Sequence, residues 1–382
     1  MKIKNKKVII TLICILFVSV VILMLLLCQL KKNKSQDTNV SESLPQTEFE
    51  TETEIESEII DTHEGQAKSL LTGEWIDETL ARKRPISIMV ENTSACLPRY
   101  GLSRADVIYE CPVEGGSTRY MVLFQDYSNM EKIGNIRSCR HYYAYFAHEY
   151  ESVYLHAGAS YIADDGVLAQ HYIDDVDAIK GKADNYFYRD SSEHKAPHNL
   201  YTSSDKIAGM FAEYGYDEYH SENYQGNFKF ANDDESVNLD NGTDAVALTM
   251  YYPINKPWFV YNAEDGLYYR YQFKDKETDG IDNSQVCVKN IIIMNCAVSE
   301  VDSSSGLLDV NQLSGGSGYF ITNGKCIDIT WSRASYDDIT HYYDLNGNEI
   351  TLNQGKTWIE VGSTGSASKN VIYSTMDEFN NR

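Results

Sequence analysis

Three arginines stand close together in a chain that is otherwise strongly acidic: Arg119, Arg137 and Arg140, the last two flanking Ser138-Cys139. A guanidinium fork matches the oxygens of a phosphate or a carboxylate, so three of them describe an anion subsite. A phosphate-bearing wall polymer or a peptide carboxylate would fit it. The competing reading pairs the same arginines internally with Asp106, Glu110 and Glu114. Glu110 and Glu114 offer a different chemistry. Two carboxyl groups about 5–9 Å apart can cleave a glycosidic bond, one as acid and the other as nucleophile or base. Pro112 between them argues against a helix, so a spacing of four does not by itself put both on one face. His156, just before Gly158, is a further polar candidate for catalysis or binding, and His198 and Asn199 complete the ligand-binding set.

Six of the nine histidines fall between His141 and His198, and His194 and His198 are four apart in HKAPH. The proline makes that stretch a loop, and no CxxC is present, so no metal site is expected. There is no GxSxG, Walker or GxGxxG pattern, and no cofactor is expected either. Gly115-Gly116 and Gly315-Gly316-Ser317-Gly318 read as turn glycines.

The elements that must carry these residues are short apolar runs. Val107-Ile108-Tyr109, Tyr120 to Phe124 and Ser152 to Leu155 read as buried strands with ionisable residues at their ends. Ile86 to Val90 is a fourth. Helices are expected over Leu70–Leu80, after Arg140, over Tyr161–Tyr172, and over Lys206–Tyr214 behind a Thr202/Ser203 cap. Tyr186–Asn199 is a loop. Residues 70–225 therefore read as an α/β domain.

From about residue 226 the helical periods stop. Ala245–Tyr251, Trp258–Asn262 and Leu267–Tyr271 are strand-like. Asn323-Gly324 and Asn346-Gly347 each lie between apolar runs, the strongest short hairpin signal because both turn residues need positive φ. Residues 226–362 read as a mostly antiparallel β domain, and 363–382, opening on Gly and Ser, as a mobile tail. Val286–Ala297 taken as one strand would hold Cys287 and Cys296 about 30 Å apart, too far to bridge. No disulfide framework is visible among the cysteines, which read as small buried hydrophobes.

The first 34 residues carry seven lysines and no acid. Val8 to Leu30 is apolar enough, and at about 35 Å as a helix long enough, to cross a bilayer. It reads as an uncleaved anchor that places the folded region outside the cell membrane. Cys28, preceded by Leu27 rather than a small residue, is the alternative lipid-attachment point. Residues 35–69 read as an acidic disordered linker: positions 41–61 hold eight acids and no Lys or Arg. Of the 33 Lys and Arg, 26 remain beyond the anchor to face all 56 acids, a surface that excludes nucleic acid as a partner.

The order of several short motifs resembles the YerB-like family of bacterial envelope proteins, grouped as lipoproteins of unknown function. The matching segments include Arg84-Pro85-Ile86, Gly101 to Asp106, Tyr109-Glu110, Val113 to Gly116, Thr118-Arg119, Lys132-Ile133-Gly134, Arg137-Ser138, His156-Ala157-Gly158, Ala196 to Leu200, Ile329 to Ser332 and Gly355 to Trp358. Asn135 and Cys139 depart from the pattern. The resemblance implies an N- and a C-terminal family domain and a location outside the membrane. It supplies no reaction. Three readings follow from the residues: an envelope protein binding an anionic or glycan ligand, or serving as an accessory factor; a wall glycan hydrolase or transferase using Glu110 or Glu114; and a protein-binding scaffold. The expected partners are the membrane, through Val8 to Leu30, and a cell-wall polymer or an envelope protein.

Overall fold

The computed structural model describes residues 63–382. The expected anchor, Val8–Leu30, and the acidic run to residue 62 lie outside the described residues. Among the described residues no helix is long and apolar enough to cross a membrane.

A twelve-stranded sheet organises the fold. Its middle runs Gly316–Thr322, Asn290–Asp302, Thr357–Ser363, Val107–Pro112, Thr118–Phe124, Ile86–Asn92, Val153–His156 and Asp175–Asp177. Strands from both sides of residue 226 build this one sheet. The late Thr357–Ser363 strand lies between Asn290–Asp302 and Val107–Pro112, parallel to both. Ile86–Asn92, Val153–His156 and Asp175–Asp177 are also parallel to one another. The remaining central pairings are antiparallel. The fold is thus mixed and mostly antiparallel, as the sequence implied.

Side chains alternate between the two faces of a strand. On one face Ile88, Val90, Ile108, Tyr120, Val122 and Trp358 meet Phe259 and Tyr268 of a second, six-stranded sheet. On the other, Met89, Tyr109 and Met121 pack on Tyr142, Tyr143 and Phe146 of the helix His141–His148. Both layers are buried, and a fully buried residue such as Phe259 contributes about 1.5–3 kcal/mol.

Several local expectations need correction. Leu70–Leu80 is not one helix: Gln66–Lys68 and Trp75–Asp77 form a hairpin, helix begins only at Glu78–Ala81, and the expected linker ends before residue 69. Ser69 Oγ accepts from the Leu71 and Thr72 amides and closes the loop. The helix expected over Tyr161–Tyr172 is a single turn, Tyr161–Ala163, running into a wider turn that breaks at Gly166. Ser203 does cap a helix, but Ser204–Ile207 ends before Gly209, whose φ of 79° starts a separate helix, Met210–Tyr214.

Val286–Ala297 is not one strand. Cys287–Val288 belongs to the second sheet and Asn290–Asp302 to the first, so the chain changes sheets at Lys289. All six described cysteines are free thiols. Gly316 and Gly318 lie in a strand rather than a turn. Residues 363–382 are folded: Val371–Tyr373 pairs with Ala247–Thr249, and Met376–Asn380 is a helix. Thr375 and Glu378 cap that helix reciprocally, and this Thr-x-x-Glu pattern is visible in the sequence.

Candidate functional site

Alternation along Val107–Pro112 separates the residues that the sequence groups together. Glu110 is in register with Tyr120, on the face that packs against the second sheet. Cys111 is in register with Arg119, and Arg119 with Glu91, on the face that carries the helix. Glu110 and the arginines therefore lie on opposite faces of one sheet.

On its own face Glu110 is sealed, with no exposed surface. Its carboxylate is paired with Arg270 and accepts from Asn92 Nδ2 at 3.0 Å, Thr118 Oγ1 at 2.6 Å and Asn255 Nδ2 at 2.7 Å. Arg270 also donates to Glu277 at 2.9 Å and Glu360 at 3.0 Å, and its guanidinium lies 4.1 Å from the Trp358 ring. Glu277 in turn pairs with Arg99 at 3.0 Å. All five ionic groups are fully buried. Burial, with Glu110 close by, pushes the Glu360 carboxyl well above the usual carboxylate range. A protonated Glu360 leaves two carboxylates against two guanidinia, which balances the charge. Burial outweighs Arg270 and raises Glu110 as well. No solvent or substrate reaches Glu110 in this state, so the structure gives it no catalytic geometry.

The arginines gather on the other face, at the carboxyl ends of the parallel strands Ile86–Asn92 and Val153–His156. Ligands commonly bind at this edge in open sheets. The backbone from Asn135 to Cys139 is laid along that edge: Arg137 N donates to Met89 O, Ala157 N to Arg137 O and Cys139 N to Gly158 O. Arg140 then opens the helix His141–His148 and grips Glu114 with a fork, at 2.6 and 2.7 Å. Burial raises Glu114, but the Arg140 fork outweighs it and the carboxyl ends below its usual range. Arg137 Nε lies 3.3 Å from Glu91 Oε2, and His198 Nδ1 is 2.8 Å from the same oxygen.

Arg119 is different. It is half-buried, donates to Ser138 O at 2.6 Å, and makes no ion pair with a carboxylate among the described residues. Burial first, then the Arg140 and Arg137 guanidinia, push it down to about 10. Arg119, Arg137, Arg140 and His198 thus come together, with Glu91 as a member that sequence reasoning missed.

Two candidates take structural roles. Asn199 is buried, bonded to Arg189 and to Ser191 Oγ. His156 is fully buried, with Nδ1 2.9 Å from Gly158 O and Nε2 3.1 Å from Asp175 Oδ2. Both ring nitrogens are occupied, which leaves no free base. Among the described residues no group of three or more His, Cys, Asp and Glu is arranged to hold a metal.

The missed residues had a weak signal. Leu267–Gln272 alternates, and Tyr268, Arg270 and Gln272 occupy its buried phase. Glu360 interrupts an otherwise apolar run in Thr357–Ser363. A charged residue in the buried phase of a strand implies a buried partner.

Comparison with known proteins agrees with the fold. The crystal structure of YerB protein from Bacillus subtilis superposes with a TM-score of 0.69 at 25% identity, covering 80% of this chain and 99% of that one. A protein of Bacillus subtilis (strain 168) described as "Putative lipoprotein YerB" is 30% identical over 301 residues, 77% of this chain and 86% of that protein. Residues 71–217 match the N-terminal domain, and residues 248–359 the C-terminal domain, of a protein family of unknown function, DUF3048. The two matched regions are the ones that interleave in the central sheet, and the chain belongs to this family.

Proposed function

We propose that this is a cell-envelope protein, tethered at the membrane through Val8 to Leu30 with its folded region outside, that binds an anionic ligand at Arg119 and Arg137. The observation that carries this reading is Arg119: a half-buried guanidinium without a carboxylate partner among the described residues, crowded by two further arginines. An anion bound there would relieve that crowding and use the donors that Ser138 leaves free. The name of the Bacillus relative supports the envelope assignment. A phosphate-bearing wall polymer is the ligand class best matched to adjacent guanidinium forks. The scaffold reading draws support from Arg140 and Arg137, which are paired internally with Glu114 and Glu91.

The test uses the full chain in detergent with purified cell walls, intact or stripped of their phosphate polymers. Sedimentation with intact walls only, weakened at least tenfold by Arg119→Gln, is the expected result. Unchanged sedimentation of Arg119→Gln with a lowered melting temperature would make the arginine cluster purely structural.

A further inference from the structure

The three arginines at the strand ends are not equally open to a ligand. Every nitrogen of the Arg140 guanidinium is engaged: Nε and Nη2 grip Glu114, and Nη1 donates to Cys139 O at 2.9 Å. Arg140 therefore acts on a ligand through its charge. Arg119 commits only Nη1, to Ser138 O, and its Nε and Nη2 have no acceptor among the described residues. Arg137 is held loosely. Its Nη1 lies 3.4 Å from Pro197 O, in a contact at the surface, and its Nη2 has no acceptor among the described residues. Its Nε faces Glu91 without forming a hydrogen bond. The side chain is 23% exposed, which opens the cluster to solvent on that side.

Three guanidinia here meet two carboxylates. Burial works against the charge on Glu114, but the Arg140 fork holds that carboxyl below the usual range. Glu91 is buried, with Thr93 Oγ1 donating to its Oε1 at 3.1 Å and Arg137 and His198 facing its Oε2. One positive charge is left over. Arg119 feels Glu114 as well as the other two arginines, so the acids act on the same space as the open donors. A ligand with one negative charge neutralises the cluster. A second charge would stand against Glu91 and Glu114 in a half-buried setting, where like charges repel more strongly than in water. It would also lose more hydration on entry. A phosphodiester spreads one charge over two non-bridging oxygens, one for each open guanidinium. A terminal phosphomonoester carries nearly two charges once its second acid group, with a pKa of about 6, is ionised.

We propose that the cluster selects a phosphodiester within a polymer chain over a terminal phosphomonoester. Arg119 and Arg137 each donate to one non-bridging oxygen, and Glu91 and Glu114 exclude the second charge. The selection rests on the cluster being a phosphate site, as proposed above, and adds which form of phosphate it takes.

The probes are dimethyl phosphate, a monoanion, and methyl phosphate, a dianion at pH 8.5. Each is titrated at that pH and fixed ionic strength into the full chain in detergent. The high pH is chosen because His198 can add a positive charge by taking a proton. Binding is read from the ¹³Cζ resonance of Arg119, assigned by its loss in Arg119→Gln. Dimethyl phosphate is expected to bind at least fivefold more tightly than methyl phosphate, although it carries less charge. Glu114→Gln removes one excluding charge and frees the Arg140 fork, and it should reverse that order. Should the variant fail to fold, the order in the unmodified chain decides. Methyl phosphate binding the unmodified chain as tightly as dimethyl phosphate, or more tightly, would overturn the selection and leave the phosphate site standing. An order that Glu114→Gln does not change would also overturn it. If neither ester moves the Arg119 resonance, the phosphate site itself is refuted and the selection falls with it.

Discussion

The two faces of the central sheet use the same residue types for opposite ends. On one face Arg99, Arg270, Glu110, Glu277 and Glu360 are sealed from water and paired with one another. On the other, Arg119, Arg137, Arg140 and Glu114 are partly open at the strand ends around the buried Glu91, and Arg119 has no carboxylate partner among the described residues. Burial makes the difference. A sealed network must balance its charge internally, because an unpaired buried ion costs several kcal/mol. A half-open one can keep an unmatched guanidinium at modest cost, because water still reaches it.

The largest expected effect breaks the sealed side. Arg270→Met takes the shared guanidinium from Glu110 and Glu360 and leaves Glu277 with Arg99, and it should destabilise the fold by about 3–5 kcal/mol, read from the urea midpoint. Next comes pH. Folding raises the Glu360 pKa above its ordinary 4.5, so its contribution is full below 4.5. It declines as pH rises toward the folded value, by about 1.4 kcal/mol per unit crossed. Glu360→Gln should flatten that decline in urea melts collected across pH. Glu114 has the opposite sign: its folded pKa is lowered, so its contribution is present above 4.5 and lost as pH falls through the folded value. Glu114→Gln should cost about 1 kcal/mol at pH 7 and remove that acid-side loss. The smallest stability effect is at Arg119, where Arg119→Gln gives up one hydrogen bond, about 1 kcal/mol or less, yet should cost tenfold in wall binding. A stability loss there as large as at Arg270 would erase the contrast between the faces.

Much of the frame was legible. The apolar runs at Ile86–Val90, Val107–Tyr109 and Tyr120–Phe124 are strands, and Asn323-Gly324 turns with positive φ at both residues. The grouping of Arg119, Arg137 and Arg140 also holds, because all three are near the same strand ends. What the sequence hid was long-range. Glu110 was weighed with its near neighbours, whereas its counter-ion, Arg270, is 160 positions away. The period of two orders the faces within a strand, but only the register between strands puts Glu110 and Arg119 on opposite faces. Short helices were over-read because Gly166 and Gly209 break runs whose apolar pattern continues. The folded C-terminus was misjudged from its Gly and Ser content, against a capping pattern that pointed the other way.

The Thr357–Ser363 strand, wedged between two strands made much earlier, bears on how the protein is produced. As the chain leaves the ribosome, Val107–Pro112 emerges long before its neighbour. Until residue 363 arrives, that apolar strand presents an open edge to any other chain. Such remote pairing also makes folding slow. A prematurely terminated product is therefore no smaller working unit but a seed for aggregation, and the growing polypeptide needs shielding until its last strand is delivered.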